Sequence, residues 1–442
     1  MNQTPLCDAL RRFAGQRPLR MHMPGHKGRF LPLPELSPAA ALDVTELPPT
    51  GNLFESGGPI EAAENLWASA FGSAHCLFLT GGSTQGVLSA FTLACRPGDQ
   101  VLVDRGCHRS AFNAMALLDL HPRYLFRPWL REGEVAGPLS PRDLEEALEA
   151  HPAVRAVCVT SPTYYGVCSD LPALARICHA HGALLLVDGA HGAHLPFLED
   201  RSLSAADVAV VSAHKTLPAP GQAALLFSSR FSLEALRRAA SLYGSSSPSY
   251  PMMAALDAAR AWMEEEGRAA LRQTAAQVAE LRRRFPALTP DQAPLDPARL
   301  VLRCADGFAA EKALQDLGVY PEMADARHVV FICTAADTEA DFSRLEEALS
   351  AVWAAQPPLS ELPPLPPAPA PEQALSPRQA RFSATRSLPV GAAAGEVAAS
   401  QVAPYPPGVP VLAPGELVTK KTIAYLSQIG YNMEKDMEVV LP

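Results

Sequence analysis

The sequence predicts an α/β fold built on a mostly parallel β-sheet. Between residues 61 and 230, short apolar runs alternate with stretches of helical periodicity. This alternation indicates βα units whose strands are buried on both faces. Several of the runs end in polar or glycine-containing turns, and open parallel sheets bind ligands at the carboxyl ends of their strands. We therefore expect a ligand site at those ends.

Composition and charge exclude several classes of protein. The 442 residues include 48% hydrophobic and 19% charged residues, which is typical of a soluble globular protein of two or three domains. The net charge of −9 disfavours a general nucleic-acid binder. The N-terminal sequence MNQTPLCDALRRFAG has no apolar signal region, and no apolar stretch approaches the length of a membrane span. We expect a cytoplasmic protein with no nucleic-acid or membrane partner.

The nine cysteines are scattered along the chain and form no CxxC pair. An odd number of dispersed cysteines in a large chain disfavours both a disulfide framework and a zinc site. This distribution favours a reducing compartment, in agreement with the predicted cytoplasmic location.

Shifts in composition divide the chain into segments. The first 60 residues are rich in proline and glycine, with a short helix predicted near Leu6–Ala14, and residues 357–371 hold eight prolines. A long amphipathic helical stretch covers 253–285, and a final helix is predicted near 416–429. We predict an N-terminal arm (1–60), a large domain (61–230), a smaller α/β domain (231–355), a proline-rich linker (356–375) and a C-terminal domain (376–442).

Two polar clusters follow the early strands of the large domain. In 80-TGGSTQG-86 a strand meets a glycine-rich turn and then a helix, so that backbone N–H groups with Ser83 and Thr84 could hold an anion. In 104-DRGCHRS-110, His108 lies in the loop after a strand. Taken alone, the first cluster could be an ordinary turn and His108 a structural histidine.

Two further clusters follow later strands. Asp188 ends the apolar run 184-LLLVD-188, where its plain role is to cap the next turn. Lys215 lies in 212-SAHK-215, at the end of the run Val208–Val211. A lysine there needs a partner or a purpose, because burying an unpaired ammonium is costly. It could form an ion pair with Asp188 or another acid, or have a lowered pKa and form a Schiff base.

One ligand accounts for all four clusters together. Pyridoxal phosphate (PLP) has a phosphate, a ring nitrogen, a flat aromatic face and an aldehyde. These suit, respectively, the hydroxyl and histidine side chains of the two turns, the carboxylate of Asp188, the imidazole of His108 and the amine of Lys215. The order of phosphate loop, aspartate and Ser-x-His-Lys resembles that of fold type I PLP enzymes, whose large domain is aspartate aminotransferase-like.

The flanking motifs sharpen this resemblance. The chain is similar to the Orn/Lys/Arg decarboxylase family (group III), in its short wingless form, across nearly its whole length. The motifs that carry the similarity are MHMPGHKG (21–28), DVTELP (43–48), GGSTQG, DRGCHRS, SPTYYG (161–166), SAHK, SSPSYPMMAALD (246–257) and PYPPG (404–408). The resemblance implies a fold type I large domain, a small α/β domain and a C-terminal domain.

The resemblance also implies roles for individual residues. Lys215 would anchor PLP covalently, Asp188 would pair with the ring nitrogen and His108 would stack on the ring. His191 would lie close to the cofactor, and Lys215 or His214 would return a proton to the substrate. The phosphate would be held by Ser83, Thr84, Ser212 and His214.

The family's assemblies are homodimers or larger homo-oligomers with the active site at the interface, so Ser247 is expected to serve a neighbouring site. No metal site is predicted. His22 and His26 are separated by Met-Pro-Gly, which prevents the helical spacing of paired ligands, and the segment is expected to pack near the active site instead.

Three positions depart from the family's pattern. The stretch 51-GNLFESGG-58 replaces a pair of aspartates, Gly189 replaces an acidic residue after Asp188, and Ser400 stands where Ala-Glu is common before PYPPG. Carboxylates there would be natural partners of a basic substrate group. Glu55 is the acid that could compensate.

The expected function is PLP-dependent decarboxylation of an amino acid, with lysine, arginine or ornithine as first choices. Such a reaction would belong to amino-acid metabolism and polyamine biosynthesis. Two alternatives stay open: an aminotransferase or lyase acting on a less basic substrate, and a catalytically silent PLP-binding homologue. An aminotransferase would need an arginine for the substrate carboxylate, and Arg303 is the residue we can place on a strand of the smaller domain.

Overall fold

The structure is a computed structural model that describes residues 3–359, 363–404 and 410–441. The chain forms two compact units. The first comprises residues up to Leu93 together with Leu186–Arg272, and the second comprises Ala94–Leu185 together with the chain from Gln273 onward. These units interleave along the sequence. The predicted boundaries of arm, large domain, small domain, linker and C-terminal domain stay a prediction.

The first unit alternates helices and strands. Its helices are α1 (Pro5–Gly15), α2 (Gly58–Phe71), α3 (Gly82–Ala94), α7 (Ala213–Thr216), α8 (Leu233–Ser241), α9 (Tyr250–Trp262) and the start of α10 (Arg268–Arg284). Its strands are β1 (His75–Leu79), most of β7 (Leu184–Asp188), β8 (Val208–Ser212) and β9 (Ala224–Ser228). Nearly every residue of these strands is buried, which explains why their sequences are apolar runs without alternation.

The second unit holds the remaining strands of the large sheet and two smaller sheets. Its helices are α4 (Arg109–Leu118), α5 (Pro141–Ala150), α6 (Leu171–Ala180), α11 (Gly307–Asp316), α12 (Glu339–Ala354), α13 (Pro377–Phe382) and α14 (Lys420–Gln428). Its strands are β2 (Gln100–Asp104), β3 (His121–Leu125), the hairpin β4 (Trp129–Leu130) and β5 (Val135–Ala136), β6 (Val154–Thr160), β10 (Arg299–Arg303), β11 (Met323–Ala324), β12 (His328–Ile332), β13 (Thr385–Pro389) and β14 (Asp436–Val440).

The large sheet has seven strands in the order β1-β9-β8-β7-β6-β2-β3. β7 and β8 are parallel, as are β6, β2 and β3, whereas β9 is antiparallel to both β1 and β8. The prediction of an α/β fold with a mostly parallel sheet is confirmed. The antiparallel strand β9 follows from its short connection, since the chain returns from Ser212 to Ala224 without a long crossover helix.

The C-terminal part of the second unit has its own small core. β13 and β14 pair antiparallel, and α14 lies over them with Leu426 buried together with Val390, Leu412 and Val439. The last helix begins at Lys420, later than predicted, because Thr419 caps it by accepting the Thr422 N–H. Of the PYPPG motif, only Pro404 lies within the described residues.

A half-buried polar cluster joins three loops of the second unit. We call it the Asp325 cluster, and it consists of Tyr165, Asp325, Arg327 and His328. Asp325 accepts hydrogen bonds from the Tyr165 hydroxyl (2.6 Å), from the Arg327 and His328 N–H groups (2.7 and 2.8 Å) and from His328 Nδ1 (3.0 Å). His328 Nε2 donates to the Gly133 carbonyl (2.8 Å), so both ring nitrogens of His328 are engaged.

The charges in this cluster stabilise one another. Burial alone would raise the pKa of Asp325, but the electrostatic interaction with His328 and the surrounding hydrogen bonds hold it below its usual value. Burial, followed by the charge of Asp325, raises the pKa of Tyr165. The Asp325 carboxylate and both ring nitrogens of His328 therefore have protein partners, and together they fix the loop containing SPTYYG to the smaller sheet.

One predicted helix is interrupted. The stretch 253–285 is not continuous, because a π-helical turn, Met263–Gly267, separates α9 from α10. A side chain on Gly267 would meet Met263 Sδ at 2.5 Å, so the turn closes tightly on itself. The π-helical turn contains an extra residue, but the apolar residues keep a helical spacing on both sides of it. The pattern therefore predicted a single helix.

Candidate active site

The glycine-rich loop after β1 is held firmly against the first unit's core. The Gln85 amide accepts the Gly81 N–H (2.9 Å) and donates to the Ala240 carbonyl (3.0 Å). A side chain on Gly86 would lie 2.5 Å from Val210, so glycine lets the first turn of α3 pack directly on β8. Ser83, half-buried, and Thr84, exposed, lie on that first turn, where backbone N–H groups are available to an anion.

Strand β7 ends in Asp188, which is almost fully buried. Its Oδ1 accepts the Ala190 N–H (3.1 Å), and the Gly189 N–H donates to the Val210 carbonyl of β8 (2.8 Å). A tight turn follows, closed by the Gly192 N–H on the Gly189 carbonyl (2.8 Å), and it leads to the buried His191.

Strand β8 ends in Ser212, and the short helix α7 follows at once. Lys215 Nζ lies 3.2 Å from His191 Nε2, so the residues after two neighbouring parallel strands meet. His214 Nδ1 donates to the Ala223 carbonyl (3.0 Å), which leaves Nε2 as the basic nitrogen of its neutral form. We call Asp188, His191, Ser212, Lys215 and Thr216 the strand-end cluster.

Two hydroxyl groups of the strand-end cluster are buried without a protein partner. In the part of the chain that the structure describes, Ser212 Oγ and Thr216 Oγ1 find no hydrogen-bonding atom. Ser212 is fully buried and Thr216 nearly so. Buried polar atoms without partners are costly and rare in folded proteins, so these two call for an explanation outside the chain.

His108 belongs to the second unit, where it is the N-cap residue of α4. Its Nδ1 accepts the Ser110 N–H (3.3 Å) and lies 2.9 Å from the Ser110 hydroxyl. The proton of the neutral ring is therefore on Nε2. The ring is half-buried, and its Nδ1 is engaged by the start of its own helix.

Ser247 is exposed in the segment before α9, where its N–H donates to the Ser245 hydroxyl (3.1 Å). Its expected role in a neighbouring subunit's site stays a prediction.

At each of the three positions where the family's acids are absent, the residue present has a structural role or is constrained by its neighbours. Asn52 donates to Glu55 (3.0 Å) and accepts the Phe54 N–H (2.9 Å), so it orders the loop that carries the exposed Glu55. A side chain on Gly189 would meet Leu203 at 2.8 Å and the Val210 carbonyl at 3.2 Å. The Ser400 hydroxyl accepts the Glu438 N–H (3.3 Å).

Other residues considered from the sequence are engaged elsewhere. Arg303 pairs with Glu134 (3.2 Å) in the second unit, so its guanidinium is already committed to a carboxylate. His26 Nε2 lies 3.1 Å from Asp43. Within residues 3–359, 363–404 and 410–441, no group of three or more His, Cys, Asp or Glu residues is arranged to hold a metal ion, and no helix is long and apolar enough to cross a bilayer.

Comparison with known families decides what this arrangement belongs to. The profile for the major domain of the Orn/Lys/Arg decarboxylases matches residues 4–299, and the profile for their C-terminal domain matches residues 367–435. The chain belongs to the Orn/Lys/Arg decarboxylase family. This is a family of PLP-dependent decarboxylases of basic amino acids, and the resemblance inferred from the motifs is confirmed.

Relatives of known sequence cover nearly the whole chain. The uncharacterized protein YaaO of Bacillus subtilis is 32% identical over 96% of this chain and 94% of its own length. The arginine decarboxylase of Bacillus anthracis is 28% identical over 100% of this chain and 94% of its own. The arginine decarboxylase of Bacillus subtilis is 28% identical over 96% and 93%.

Solved structures show the same fold. The lysine decarboxylase of Francisella novicida superposes with a TM-score of 0.82 at 19% identity, covering 99% of this chain and 81% of that one. The constitutive lysine decarboxylase of Escherichia coli gives 0.82 at 18% identity, covering 99% and 82%. The more distant SPT, solved with PLP, gives 0.52 at 20% identity over 66% of this chain and 76% of its own. The fold type I assignment is confirmed.

The strand-end cluster fits PLP, the cofactor that the family implies. The Ser212 and Thr216 hydroxyls are buried donors that need an acceptor, and phosphate oxygens are strong acceptors. A primary amine, Lys215, lies between them in sequence, and a buried carboxylate, Asp188, ends the neighbouring strand. In chemical kind, the hydroxyls match the phosphate of the cofactor, the amine matches its aldehyde and the carboxylate matches its ring nitrogen.

The structure also shows contributors that the sequence analysis missed. Gln85 and Gly86 fix the glycine-rich loop, and Thr216 adds a second buried hydroxyl beside Lys215. Gln85 and Gly86 lie within the quoted TGGSTQG motif, so their presence there was a signal. Thr216 directly follows the quoted SAHK and had no such signal.

Proposed function

We propose that the protein catalyses PLP-dependent decarboxylation of a basic amino acid, releasing the amine and CO₂. The observation that carries the proposal is the meeting of Lys215 Nζ and His191 Nε2 at 3.2 Å, after two strands that end in Asp188 and in Ser212, whose buried hydroxyl has no partner among the described residues. Membership in the decarboxylase family supports it. When bound, PLP supplies an electron sink that stabilises the negative charge left on the α-carbon as CO₂ departs.

Each residue of the proposed active site has a defined task. Lys215 anchors the cofactor, and His191 accepts a hydrogen bond from Nζ, which keeps the amine oriented. Asp188, buried and held by the Ala190 N–H, keeps a proton on the ring nitrogen. The basic Nε2 of His214, whose Nδ1 is occupied by a carbonyl, or Nζ of Lys215 delivers the proton that completes the amine.

The remaining site residues orient the cofactor. Ser83 and Thr84, on the first turn of α3, and Ser212 hold the phosphate together with His214 and the helix N–H groups. When PLP is bound, His108 would pack on the face of its ring and hold the cofactor in one orientation toward the substrate.

The substrate class rests on the relatives and on one carboxylate. Several curated relatives are arginine decarboxylases. Glu55 is exposed and oriented by Asn52, and it is the acid retained in the stretch where the family has paired aspartates. In this proposal Glu55 binds the distal cationic group of lysine, arginine or ornithine. The substitutes at Gly189 and Ser400 are the observations that favour a less basic substrate instead.

The same proposal includes a homodimer or larger homo-oligomer. Part of the support is an arm whose large apolar side chains are exposed in the single chain: Leu19, Met21, Met23, Phe30, Leu33 and Leu36. Exposed apolar surface on this scale is typical of an interface. Sedimentation of the purified protein tests it, and a monomer at micromolar concentration would contradict it.

Product analysis tests the reaction. The purified protein with PLP is given a mixture of all standard amino acids, and the products are identified by mass spectrometry. Cadaverine, agmatine or putrescine is the expected product, absent with Lys215→Ala and retained with the exposed-lysine control Lys312→Ala. A keto acid with its nitrogen transferred would indicate an aminotransferase. PLP binding without any product would indicate a silent homologue.

A further inference from the structure

The loop that carries His108 begins with two adjacent buried charges of opposite sign. Asp104 is fully buried and pairs with Arg127 (2.6 Å), and it also accepts the Thr160 N–H (3.3 Å). The next residue, Arg105, is 8% exposed. Since a buried guanidinium is costly without partners, its contacts show what it is there to hold.

Arg105 holds a segment more than 300 positions away. It donates to the carbonyls of Pro410 (2.5 Å) and Val411 (3.1 Å) and to the carboxylate of Glu416 (2.9 Å). Its guanidinium also lies 5.5 Å from the ring centroids of Phe112 and of Tyr124. A planar fork that binds two carbonyls and one carboxylate fixes both the distance and the orientation of the segment.

Glu416 completes the arrangement from the other side. It is fully buried, and the Oε2 atom that pairs with Arg105 also accepts the Ala413 N–H (2.7 Å). Burial raises the pKa of Glu416, while Arg105 and the Ala413 N–H act against that rise. Arg105 therefore favours the ionised form of Glu416 against the effect of burial.

A second contact lies on the far side of the PYPPG motif. Gln401 Nε2 donates to the Arg109 carbonyl (3.4 Å). The motif, residues 404–408, thus has one flank tied to Arg109 and the other tied to Arg105. These two residues bracket His108.

We propose that Arg105 and Glu416 are positioning residues that register the C-terminal domain against the His108 loop and thereby set the orientation of the His108 ring. The inference rests on the proposed function in one respect, which is that His108 packs on the cofactor. The pair and the Gln401 contact together tie both flanks of one motif to residues on either side of one histidine, an arrangement that positions the loop and is not needed for stability alone. Buried ion pairs are in general a weak source of stability, which also favours a role in positioning.

The deciding variant removes the pair without leaving an unpaired charge. Arg105→Met combined with Glu416→Leu replaces both partners by apolar groups of similar size, so the melting temperature should stay within a few degrees of wild type. Arg105→Lys is the second variant, since it keeps the ion pair but loses the fork that reaches both carbonyls. The matched control is Arg282→Met, which removes another guanidinium of the second unit that donates to two carbonyls, those of Asp296 and Arg299.

Hydrogen exchange of the cofactor-free protein gives the first readout. In the double variant, amides in peptides covering 105–110 and 401–416 should exchange about tenfold faster, both together, with Arg105→Lys between it and wild type. Arg282→Met should lower stability without changing exchange in these peptides. Wild-type exchange in both peptides of the double variant would overturn the proposal.

The PLP-loaded protein gives the second readout. In the double variant kcat should fall by about 10²-fold with little change in KM, because a displaced ring misorients the reacting bond. The visible circular dichroism of the bound cofactor should weaken in parallel. Unchanged kcat and dichroism would overturn the proposal. If wild-type protein neither binds PLP nor converts a substrate, the proposed function fails. The exchange result still decides whether Arg105 and Glu416 hold the two segments together.

Discussion

The strand-end cluster and the Asp325 cluster contain similar side chains but differ in how far their polar atoms are satisfied. Each has a carboxylate and a buried histidine, and the carboxylate is buried at Asp188 and half-buried at Asp325. Asp325 is surrounded by donors from Tyr165, Arg327 and His328, and His328 uses both ring nitrogens. In the strand-end cluster, the buried hydroxyls of Ser212 and Thr216 have no protein partner within the described residues.

This difference separates a scaffold from a binding site. Polar atoms that already have protein partners, such as those of Asp325 and His328, have no capacity to receive a ligand, and their value lies in fixing the loops that they join. Unsatisfied buried donors, by contrast, carry a cost that a ligand can remove on binding. We therefore expect substitutions in the Asp325 cluster to change stability, and substitutions in the strand-end cluster to change cofactor binding and turnover.

The largest effect is expected at the satisfied carboxylate. Asp325→Asn removes the carboxylate charge that donors of Tyr165, Arg327 and His328 surround, so the free energy of unfolding should fall by about 3–5 kcal/mol, measured by urea denaturation. Turnover per folded molecule should be unchanged. Glu322→Gln is the control, since this exposed acid accepts a single hydroxyl, that of Tyr164 (3.2 Å), and should cost less than about 1 kcal/mol. Equal effects of the two variants would contradict the assignment.

The opposite pattern, a loss of turnover with little loss of stability, is expected at Asp188. Asp188→Asn keeps the size of the side chain and the Ala190 hydrogen bond but loses the charge, so kcat should fall by about 10²- to 10³-fold with little loss of stability. Asp200→Asn is a close control, because Asp200 also accepts a backbone N–H two residues on, that of Ser202 (2.8 Å). A variant at Asp188 that unfolds the protein yet keeps its specific activity would reverse the comparison.

The sequence predicted one side of this comparison much better than the other. Strand ends, the glycine-rich loop and the position of Lys215 follow from local patterns, because each strand and its polar terminus are contiguous in the chain. The partners of Asp325 and of Arg105 come from residues up to 311 positions away, and no local pattern encodes such pairings. The π-helical turn at Met263–Gly267 escaped for a related reason, since the apolar periodicity continues through it.

A third buried acid, whose hydrogen bonds do not hold its pKa down, extends the comparison through the pH dependence of stability. Glu64 of α2 accepts the Phe78 N–H (2.9 Å) and lies 3.5 Å from Arg237, yet burial raises its pKa to about 8. The folded state therefore retains a proton that the unfolded state has lost above its ordinary pKa of about 4.5. Stability from this group is present below that pKa and is lost as the pH rises to about 8.

Glu64→Gln should remove this loss. Between pH 5 and 8.5 the unfolding free energy of wild type should fall by more than about 1.4 kcal/mol relative to the variant, the equivalent of one pKa unit. Glu61→Gln is the control: Glu61 also pairs with Arg237 (3.0 Å), but the Gly57 N–H, together with Arg237, lowers its pKa, so its contribution is lost only at acid pH. Parallel pH profiles for wild type and Glu64→Gln would contradict the assignment.

The smallest expected effect is the change in stability when a buried serine hydroxyl is removed, and its sign differs between Ser212 and Ser228. Ser212→Ala removes a buried hydroxyl without a partner, so the cofactor-free protein should gain about 1 kcal/mol of stability while its affinity for PLP falls. Ser228→Ala removes an equally buried hydroxyl that bonds the Asp207 carbonyl (2.6 Å) and the Arg230 and Phe231 N–H groups (both 3.0 Å), so it should destabilise. Melting curves with and without PLP measure both, and destabilisation by Ser212→Ala with unchanged PLP affinity would contradict this account.

The central claim is that Lys215 is the anchor of the cofactor, and mapping the covalent attachment tests it most directly. Protein incubated with PLP is reduced with borohydride, digested and analysed by peptide mass spectrometry. The chain has six lysines, so the assignment is unambiguous. We predict the phosphopyridoxyl mass on the peptide that contains Lys215, and its absence from Lys215→Ala. Attachment at another lysine, or no attachment in the wild-type protein, would contradict the account.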